Sequence, residues 1–501
     1  MSGPVDMAAV AAAYNEIGLF IDGAWGPAAD GGTYETVNPA TEEVIGRAPQ
    51  AGAADAEAAI AAATRAFQSW RHEPAARRAA LLRRAAAEMR ARAALIATLI
   101  TLEMGKPFAQ ALSEVDSSIG QFEWFAEEAS RAVGQILPPR GDGGASLVSY
   151  VPVGVVAALT PWNFPVSMLA RKLATALAAG CTVIARPAEE APCAVAVVFK
   201  CLEAAGLPKG VVNLLLGAPE PAASVLLASR AVRKLSFTGS VAVGKKLYAA
   251  SAPTLKKLSL ELGGHAPVIV FDRARAAEIG ALAAQRKFSN AGQVCVSPTR
   301  FFVQQDAMAA FTDAFVGVAK ALKLGPGLDP ATQMGPLATR KRLAAIEALV
   351  ADTKAAGGRV LTGGSRPSHL NTGYFFEPTV VSEVEDDWRV MAEEVFGPVA
   401  PLTPFRTEAE VVARANASAV GLAGYVYTAD LGQAQRLMRD LELGVIGVNT
   451  LTLGRREAPF GGTKDSGFGR EGGLLGIYEF LEPKWSEIAF DPAPEGGEAR
   501  P

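Results

Sequence analysis

Short apolar segments typical of β-strands alternate with helical segments between Val153 and Glu261, and this alternation restricts the possible folds more than any other feature of the chain. The expected strands cover residues 153–159, 182–185, 211–216, 234–237 and 255–261, and the expected helices cover residues 168–179, 194–205 and 243–250. Strands joined by crossover helices lie parallel to one another. The pattern therefore predicts an α/β fold with a doubly wound sheet whose ligand lies at the carboxyl ends of the strands.

A second cycle of the same kind starts with a strand at residues 267–271 and a helix at residues 276–288, and it continues to about Asn449. Ahead of the first cycle, residues 53–104 have the spacing of paired amphipathic helices. A chain of 501 residues, of which 50% are hydrophobic, is long enough to bury more than one large core. The sequence therefore predicts two α/β domains.

The charge pattern excludes some classes of partner. The formal net charge is -3, and no dense block of lysine and arginine is present, so we expect no binding to nucleic acid or to an anionic membrane. The apolar run at residues 151–170 contains Pro152, Pro161 and Pro165, which argue against a membrane span. Residues 1–14 lack the basic start of a secretory signal, and we expect a cytoplasmic protein.

The chain has four cysteines and three histidines, too few for a disulfide framework or a Cys/His metal site, so no metal is predicted. One cysteine stands in Phe288-Ser-Asn-Ala-Gly-Gln-Val-Cys295, and an earlier carboxylate, Glu261, ends an expected strand. A thiol attacks as its thiolate, and a desolvated carboxylate can take up the proton. A lone cysteine is more often a buried apolar residue, and a lone glutamate more often a solvated charge, so the surrounding motifs decide.

Six motifs supply that context. In chain order they are Pro161-Trp-Asn-Phe-Pro165, Phe237-Thr-Gly-Ser240, Glu261-Leu-Gly-Gly264, Gly292-Gln-Val-Cys295, Glu394-Val-Phe-Gly-Pro398 and Pro459-Phe-Gly-Gly462, the last followed by Ser466-Gly-Phe-Gly-Arg470. In this order they resemble the motifs of the NAD(P)-dependent aldehyde dehydrogenase superfamily over nearly the whole chain. The resemblance implies two doubly wound α/β domains, one for the cofactor and one for catalysis, and a small β oligomerisation arm.

The resemblance also implies the boundaries of these parts. Residues 14–135 and 154–262 correspond to the cofactor-binding domain, and residues 263–462 to the catalytic domain. Residues 136–153 and 481–490 correspond to the arm, which implies a homodimer or homotetramer, since an exposed strand pair is otherwise an aggregation hazard. The tail at residues 491–501 is rich in proline, glycine and glutamate, and we expect it to be disordered.

Oxidation of a small-molecule aldehyde to an acid assigns a role to each catalytic candidate. Cys295 forms a thiohemiacetal, and its oxyanion needs donors, for which Asn163 and the Cys295 backbone N–H are the candidates. After hydride transfer a thioester remains, and Glu261 is the candidate base for its hydrolysis. Branches of the superfamily that pass the acyl group to a nucleophile other than water typically lack this base, so Glu261 favours a carboxylic acid product.

The ordinary Gly-x-Gly-x-x-Gly dinucleotide fingerprint is absent from its expected place, where Phe237-Thr-Gly-Ser-Val-Ala-Val-Gly244 joins a strand to a helix. A helix N-terminus of this kind favours phosphate. The resemblance implies NAD as the cofactor, with NADP possible. The candidate cofactor-binding residues are Thr160, Pro161, Trp162, Arg186, Ala188, Glu189, Phe237, Gly239, Ser240, Gly244, Leu262, Glu394 and Phe396.

The choice between NAD and NADP depends on one pair of residues. Glu189 can accept hydrogen bonds from both ribose hydroxyls and would repel a 2′-phosphate, which favours NAD. Arg186 stands where the family usually has lysine, and its planar guanidinium can restore tolerance for NADP.

For the substrate, the chain most resembles the succinate-semialdehyde dehydrogenase branch, in which an arginine at the position of Arg171 binds the distal carboxylate. Two further carboxylate contacts of that branch are missing, because Ser289 replaces an arginine and the loop near Gly454 lacks the expected serine. The candidate substrate-binding residues are Arg171, Ser289, Arg455 and Phe460. Arg455 and Arg456 either compensate for the missing contacts or form a solvated pair.

Several alternatives stay open at this point. The aldehyde is succinate semialdehyde, a longer or aromatic oxo acid, or an uncharged aldehyde. A catalytically silent binding protein of the same fold and a cofactor-independent thioesterase or esterase are alternatives from other functional classes.

Overall fold

The structure, a computed structural model, describes residues 3–138 and 144–489. Its α-helices are α1 (Met7–Asn15), α2 (Ala53–Trp70), α3 (Ala75–Ala91), α4 (Ala93–Met104), α5 (Phe108–Glu128), α6 (Pro165–Ala179), α7 (Pro192–Ala204), α8 (Ala222–Ala228), α9 (Val241–Ser251), α10 (Ala276–Phe288), α11 (Met308–Ala321), α12 (Arg340–Ala355), α13 (Arg389–Ala392), α14 (Glu408–Asn416), α15 (Leu431–Asp440) and α16 (Gly473–Tyr478).

The strands of the same described ranges form two large sheets and three small ones. They are β1 (Leu19–Ile21), β2 (Ala24–Gly26), β3 (Thr33–Val37), β4 (Val44–Pro49), β5 (Gln135–Leu137), β6 (Gly144–Pro152), β7 (Val155–Leu159), β8 (Thr182–Arg186), β9 (Val212–Leu214), β10 (Val232–Thr238), β11 (Lys257–Glu261), β12 (Ala266–Val270), β13 (Pro298–Gln304), β14 (Arg359–Thr362), β15 (Thr379–Ser382), β16 (Val399–Phe405), β17 (Val420–Gly421), β18 (Ala423–Tyr427), β19 (Val445–Val448), β20 (Thr463–Lys464), β21 (Gly467–Phe468) and β22 (Leu481–Ala489).

The first large sheet has the order β2-β1-β9-β8-β7-β10-β11-β21. Its central strands, from β9 to β11, are parallel, and the chain builds outward from β7 first to one side and then to the other. The direction of winding therefore reverses between β7 and β10. In doubly wound sheets the ligand crevice lies at the carboxyl ends of the strands at such a switch point. The predicted doubly wound sheet is confirmed.

The second large sheet has the order β14-β15-β16-β13-β12-β18-β19 and is parallel except at its β14 edge. Its winding reverses between β12 and β18, so this sheet is doubly wound as well. Each large sheet is the centre of a separate cluster of buried apolar side chains. After the second sheet, β21 returns the chain to the first, where it pairs antiparallel with β11.

A three-stranded antiparallel sheet in the order β22-β6-β5 lies at the position of the predicted arm. β22 pairs with β6 along its whole length, from Leu481 opposite Pro152 to Ala489 opposite Gly144. The arm exposes large apolar side chains, including Ile136, which is 82% exposed, and Trp485, which is 65% exposed. Residues 139–143 within the arm, and the tail at 491–501 for which disorder is predicted, lie outside the described residues.

Several helices were not predicted, among them α1, α5, α8 and α16. On α5 the buried face includes Glu114, Gln121 and Glu128, so polar side chains interrupt the apolar period that identifies a helix. α8 has only 7 residues, too few to show a helical period. Where helices were predicted, the bounds shift by a few residues, and α6 begins at Pro165 because proline suits the first helical position.

Within residues 3–138 and 144–489, no helix is both long enough and apolar enough to cross a membrane.

Candidate functional site

Two cavities meet at Cys295. The first, of about 380 Å³, lies at the switch point of the first sheet and is lined by Trp162, Ser240 and Glu261 among others. The second, of about 420 Å³, lies between α5, α6 and the end of α10. Cys295, Met168 and Phe460 line both cavities. A group that enters from either side therefore reaches the same thiol.

The loop that carries Cys295 has an unusual backbone. Three successive residues, Asn290, Ala291 and Gly292, have positive φ values of 51°, 51° and 73°. Left-handed backbone is costly for a residue with a Cβ, and such strain persists only where the surroundings hold it. The buried Gln293 does so, since its Nε2 donates to the Asn290 carbonyl at 3.2 Å and its Oε1 accepts from the Ala338 N–H at 3.0 Å.

The surroundings of Cys295 favour its thiol form over its thiolate form. Burial raises the pKa of Cys295 to about 12, and the negative charges of Glu394 and Glu261 add to the rise, whereas the nearby Arg171 charge opposes it. Desolvation penalises the thiolate, as for any charged form. A reaction that uses this sulfur must therefore remove its proton as the sulfur attacks.

Glu261, the last residue of β11, can act as that proton acceptor. Its side chain is buried, and neither carboxylate oxygen has a hydrogen-bond partner among the described residues. Burial raises the pKa of Glu261 well above its usual range, and the negative charge of Glu471 raises it further, while Lys172 and Arg171 oppose the rise. A carboxylate of raised pKa is a stronger base, which is the property a general base needs near neutral pH.

Glu471 is itself held by a buried lysine. The Lys172 Nζ, on α6, donates to Glu471 Oε1 and also to Ser236 Oγ at 3.1 Å. Glu471 lines the first cavity together with Glu261. The three side chains therefore form a buried charge cluster beside Cys295.

Asn163 lies beside the loop that carries Cys295. Its Nδ2 donates to the Gln293 carbonyl at 3.0 Å, and its own carbonyl accepts from Asn290 Nδ2 at 3.2 Å. One N–H of the amide remains for another acceptor. Asn163 also lines the first cavity, so this N–H is available to an oxygen bound near Cys295.

A buried ion pair holds the segment around Asn163 in place. The Lys106 Nζ donates to Glu114 Oε2 at 2.5 Å and to the Asn163 carbonyl at 2.8 Å. Glu114 Oε1 accepts from the Val166 and Ser167 N–H groups at 3.0 and 3.1 Å, which caps the start of α6. Both side chains of the pair are completely buried.

The first cavity has features that fit a dinucleotide. Glu394 Oε1 accepts from the Gly264 N–H at 3.0 Å, and burial raises the pKa of Glu394 to about 7. A Cβ on Gly263 would lie 2.4 Å from Glu394 Oε2, so only glycine permits this approach. Glu394 thus presents a carboxylate that can accept from sugar hydroxyls.

Aromatic and helix-terminal groups complete this cavity. Trp162 and Phe396 pack edge to face with ring centroids 5.5 Å apart. Ser240 caps α9, where its Oγ accepts from the Val243 N–H at 3.4 Å, so the positive end of the helix faces the cavity that Ser240 lines. A helix N-terminus favours a phosphate at this position.

The candidate cofactor residues fall into two sets. Seven line the first cavity, namely Pro161, Trp162, Gly239, Ser240, Leu262, Glu394 and Phe396. The others, which are Thr160, Arg186, Ala188, Glu189, Phe237 and Gly244, do not line it but lie at the ends of the neighbouring strands or beside them. Arg186 Nη2 donates to Glu189 Oε2 at 2.7 Å and also to the Gly217 carbonyl, so the Glu189 carboxylate has a cationic partner.

Only some of the candidate substrate-binding residues line the second cavity. Arg171, Ser289 and Phe460 line the second cavity, and the Arg171 guanidinium lies 5.1 Å from the centroid of the Phe460 ring. Arg455 is exposed and lines neither cavity. Arg456 forms ion pairs with Glu123 and Glu457 at the surface.

Some residues of the site were missed in the sequence. They include Lys106, Glu114, Lys172, Arg286, Gln293, Arg342 and Glu471. Most are charged residues on helices, where a solvated face is the ordinary expectation. Gln293 lies inside the motif Gly292-Gln-Val-Cys295, and Glu471 directly follows Arg470, so these positions were the available signal.

Comparisons with known proteins agree with this geometry. The sequence model of the aldehyde dehydrogenase family matches residues 25–486. The chain is 44% identical over 466 residues to 3-sulfolactaldehyde dehydrogenase of Pseudomonas putida, which covers 93% of this chain and 96% of that protein. It is 42% identical over 473 residues to the NADP(+) succinate-semialdehyde dehydrogenase GabD of Escherichia coli, covering 94% of this chain and 97% of that protein.

A solved structure gives the same result. The NAD+ complex of aldehyde dehydrogenase from Bacillus cereus matches with a TM-score of 0.95 at 35% sequence identity, covering 98% of this chain and 100% of that chain.

The strained loop before Cys295 allows a stability prediction. A Cβ on Gly292 would lie 2.2 Å from the Gly397 carbonyl oxygen, and its φ is positive. We expect Gly292→Ala to lower the free energy of unfolding by about 1–3 kcal/mol. Urea denaturation measures this. Gly317→Ala is the matched control, since Gly317 lies inside α11 with open space around it and should gain up to about 1 kcal/mol. Equal effects of the two substitutions would contradict the argument.

Proposed function

The chain belongs to the aldehyde dehydrogenase family, and on that basis we propose that it oxidises an aldehyde with an anionic group at its far end to the carboxylic acid. It is an NAD(P)-dependent oxidoreductase that acts on aldehydes. The observation that supports the reaction most directly is the meeting of two cavities at Cys295, with the unpartnered Glu261 carboxylate lining one of them.

The first step is attack by the Cys295 sulfur on the aldehyde carbon, with loss of the thiol proton to Glu261. The new S–C bond makes a thiohemiacetal whose oxygen carries negative charge. The free N–H of Asn163 and the Cys295 backbone N–H donate to this oxygen, which is the role of an oxyanion hole. The interaction is stronger in the charged intermediate than in the neutral aldehyde, so it lowers the barrier.

The bound NAD(P) supplies a hydride acceptor for the carbon of the thiohemiacetal. Glu394 would hold the sugar next to the nicotinamide, and the α9 N-terminus with Ser240 would hold the pyrophosphate. Glu189 would hold the adenosine ribose. Its carboxylate disfavours a 2′-phosphate and so favours NAD, while the ion pair with Arg186 offsets part of that repulsion.

The last step is hydrolysis of the Cys295 thioester. Glu261 first releases the thiol proton to solvent and then takes a proton from water, whose oxygen attacks the acyl carbon. The C–S bond breaks and the proton on Glu261 passes to the sulfur, which releases the carboxylic acid and the free thiol. The buried cluster of Glu471 and Lys172 sets the basicity of Glu261.

An anionic group on the substrate is supported by the second cavity and by the relatives. Arg171 lines that cavity, and no ion pair to it is present in the described ranges. Two relatives act, by their names, on sulfolactaldehyde and on succinate semialdehyde. The shared feature of those aldehydes is a second, negatively charged group.

The division into functional parts follows the two sheets. We propose that residues 14–135 and 154–262 bind the cofactor and that residues 263–462 form the catalytic part, because each set contains one doubly wound sheet with its own core. The arm at residues 136–153 and 481–490 would join subunits into a homodimer or homotetramer.

The base assignment can be tested by Glu261→Gln. The amide can take a proton neither from the Cys295 thiol nor from water, so we expect the first turnover of reduced cofactor to be slowed and the steady-state turnover to be lower by about 100-fold or more. Stopped-flow absorbance of the reduced cofactor separates the two phases. Glu57→Gln, at an exposed site on α2, is the control. Unchanged turnover in Glu261→Gln would show that another group is the base.

The charge cluster allows a pH prediction. The negative charge of Glu471 raises the pKa of Glu261, so Glu471→Gln should lower that pKa and shift the acid limb of deacylation to lower pH. Lys172→Met removes an opposing positive charge and should shift the limb to higher pH. The rate of thioester hydrolysis against pH measures both shifts. Shifts in the same direction would contradict the charge argument.

If the arm joins subunits, a charged substitution on it should change the molar mass of the protein in solution. A charge placed at Ile136 would be buried unpaired in an apolar subunit interface, so Ile136→Glu should lower the molar mass measured by light scattering. Leu431→Glu, at a residue that is 74% exposed on α15, is the control and should leave the mass unchanged. A wild-type monomer would contradict the proposed assembly.

A further inference from the structure

The second cavity contains one more arginine than the sequence motifs account for. Arg286, on α10, lines this cavity together with Arg171, on α6, and Ser289. The inference below rests on the proposed function, because it concerns how the far end of the substrate is held.

The charges around this cavity do not balance. Lys106 and Glu114 both line it, and they neutralise each other through their 2.5 Å contact. Among residues 3–138 and 144–489, neither the Arg171 guanidinium nor the Arg286 guanidinium forms a hydrogen bond or an ion pair, and the Arg171 Nε is buried without a partner. Buried polar groups are almost always partnered, so the buried Arg171 Nε lacks an acceptor, and the half-buried Arg286 adds a second cation to the same cavity.

The position of Arg286 explains how it can replace a missing contact. Ser289 is three residues later, directly after the end of α10. Residues three apart lie on the same side of a helix, and one turn separates them along its axis by roughly 5 Å. The long arginine side chain spans that distance, so Arg286 reaches the cavity from one turn away.

A neighbouring group places the Arg286 charge near the nucleophile. The Tyr425 hydroxyl donates to the Val296 carbonyl at 2.6 Å, directly after Cys295. Burial raises the pKa of Tyr425, and the positive charge of Arg286 opposes this rise. Arg286 also lines the second cavity together with Cys295 and Val296, so its charge lies in the same cavity as the loop that carries Cys295.

We propose that Arg286 is a specificity-determining residue that binds the distal oxyanion of the aldehyde together with Arg171. The two guanidinium groups approach the cavity from different helices, α6 and α10. Each can donate two parallel hydrogen bonds to a carboxylate or a sulfonate, and such charge-assisted contacts are about twice as strong as neutral ones. The substrate class is thus an aldehyde whose other end is a carboxylate or a sulfonate.

The test compares three short aldehydes that differ at the far end, which are succinate semialdehyde, 3-sulfopropanal and uncharged butanal. In Arg286→Gln we expect kcat/KM for both anionic aldehydes to fall by about 10–100-fold, mostly through KM, with butanal nearly unchanged. Arg286→Lys should recover part of the loss because it restores the charge without the fork. The anionic aldehyde with the larger loss identifies the oxyanion that the pair of arginines fits.

Arg84→Gln is the matched control, since Arg84 is an exposed helical arginine on α3 that lines neither cavity. An equal loss for butanal, or no loss for the anionic aldehydes, would overturn the role of Arg286. The proposed function is tested by the wild-type protein alone. If that protein oxidises butanal and shows no preference for either anionic aldehyde, the proposed substrate class is wrong. A wild-type preference that survives Arg286→Gln overturns only the assignment of Arg286.

Discussion

The buried ion pair between Lys106 and Glu114 is the contact on which the geometry of the site depends. Glu114 caps the start of α6, and Lys106 holds the carbonyl of Asn163. That carbonyl also accepts from Asn290, so the pair connects Asn163 to the strained loop before Cys295. Removal of one partner of a buried pair leaves an uncompensated charge and typically costs about 3–5 kcal/mol. The two side chains of the pair thus hold the start of α6, the segment around Asn163 and, through Asn290, the loop before Cys295.

Burial is the common cause of the shifted pKa values at the site. It raises the pKa values of Cys295, Glu261 and Glu394, because each charged form loses its hydration. For Cys295 this keeps the thiol protonated, and for Glu261 it makes the carboxylate a stronger base. The same burial leaves the Arg171 Nε without a hydrogen-bond acceptor among residues 3–138 and 144–489. The polar groups of such a site are already positioned to interact with the charges of bound ligands.

Much of the fold could be predicted, and the reasons are visible in particular elements. β7 and β8 are buried along their whole length and β10 at every residue except Arg233, so these strands appear as short apolar runs between helices, and their order predicts the parallel sheet. The motifs at Asn163 and Glu261 follow such strands. α5 could not be found in this way, since the polar residues Glu114 and Gln121 lie on its buried face, where Glu114 is held by Lys106 and by backbone N–H groups of α6.

The sequence by itself determined the strand and helix pattern, the family, and the reactive thiol with its neighbouring carboxylate motif, because these depend on local periodicity and on short runs of residues. The tertiary structure decided which charged side chains line the second cavity. Arg455 lies in the loop before the motif Pro459-Phe-Gly-Gly462 but is exposed, whereas Arg286 lies in an ordinary helix and lines the second cavity. Nothing local distinguishes the two arginines, since the surroundings of each depend on how distant helices and loops pack.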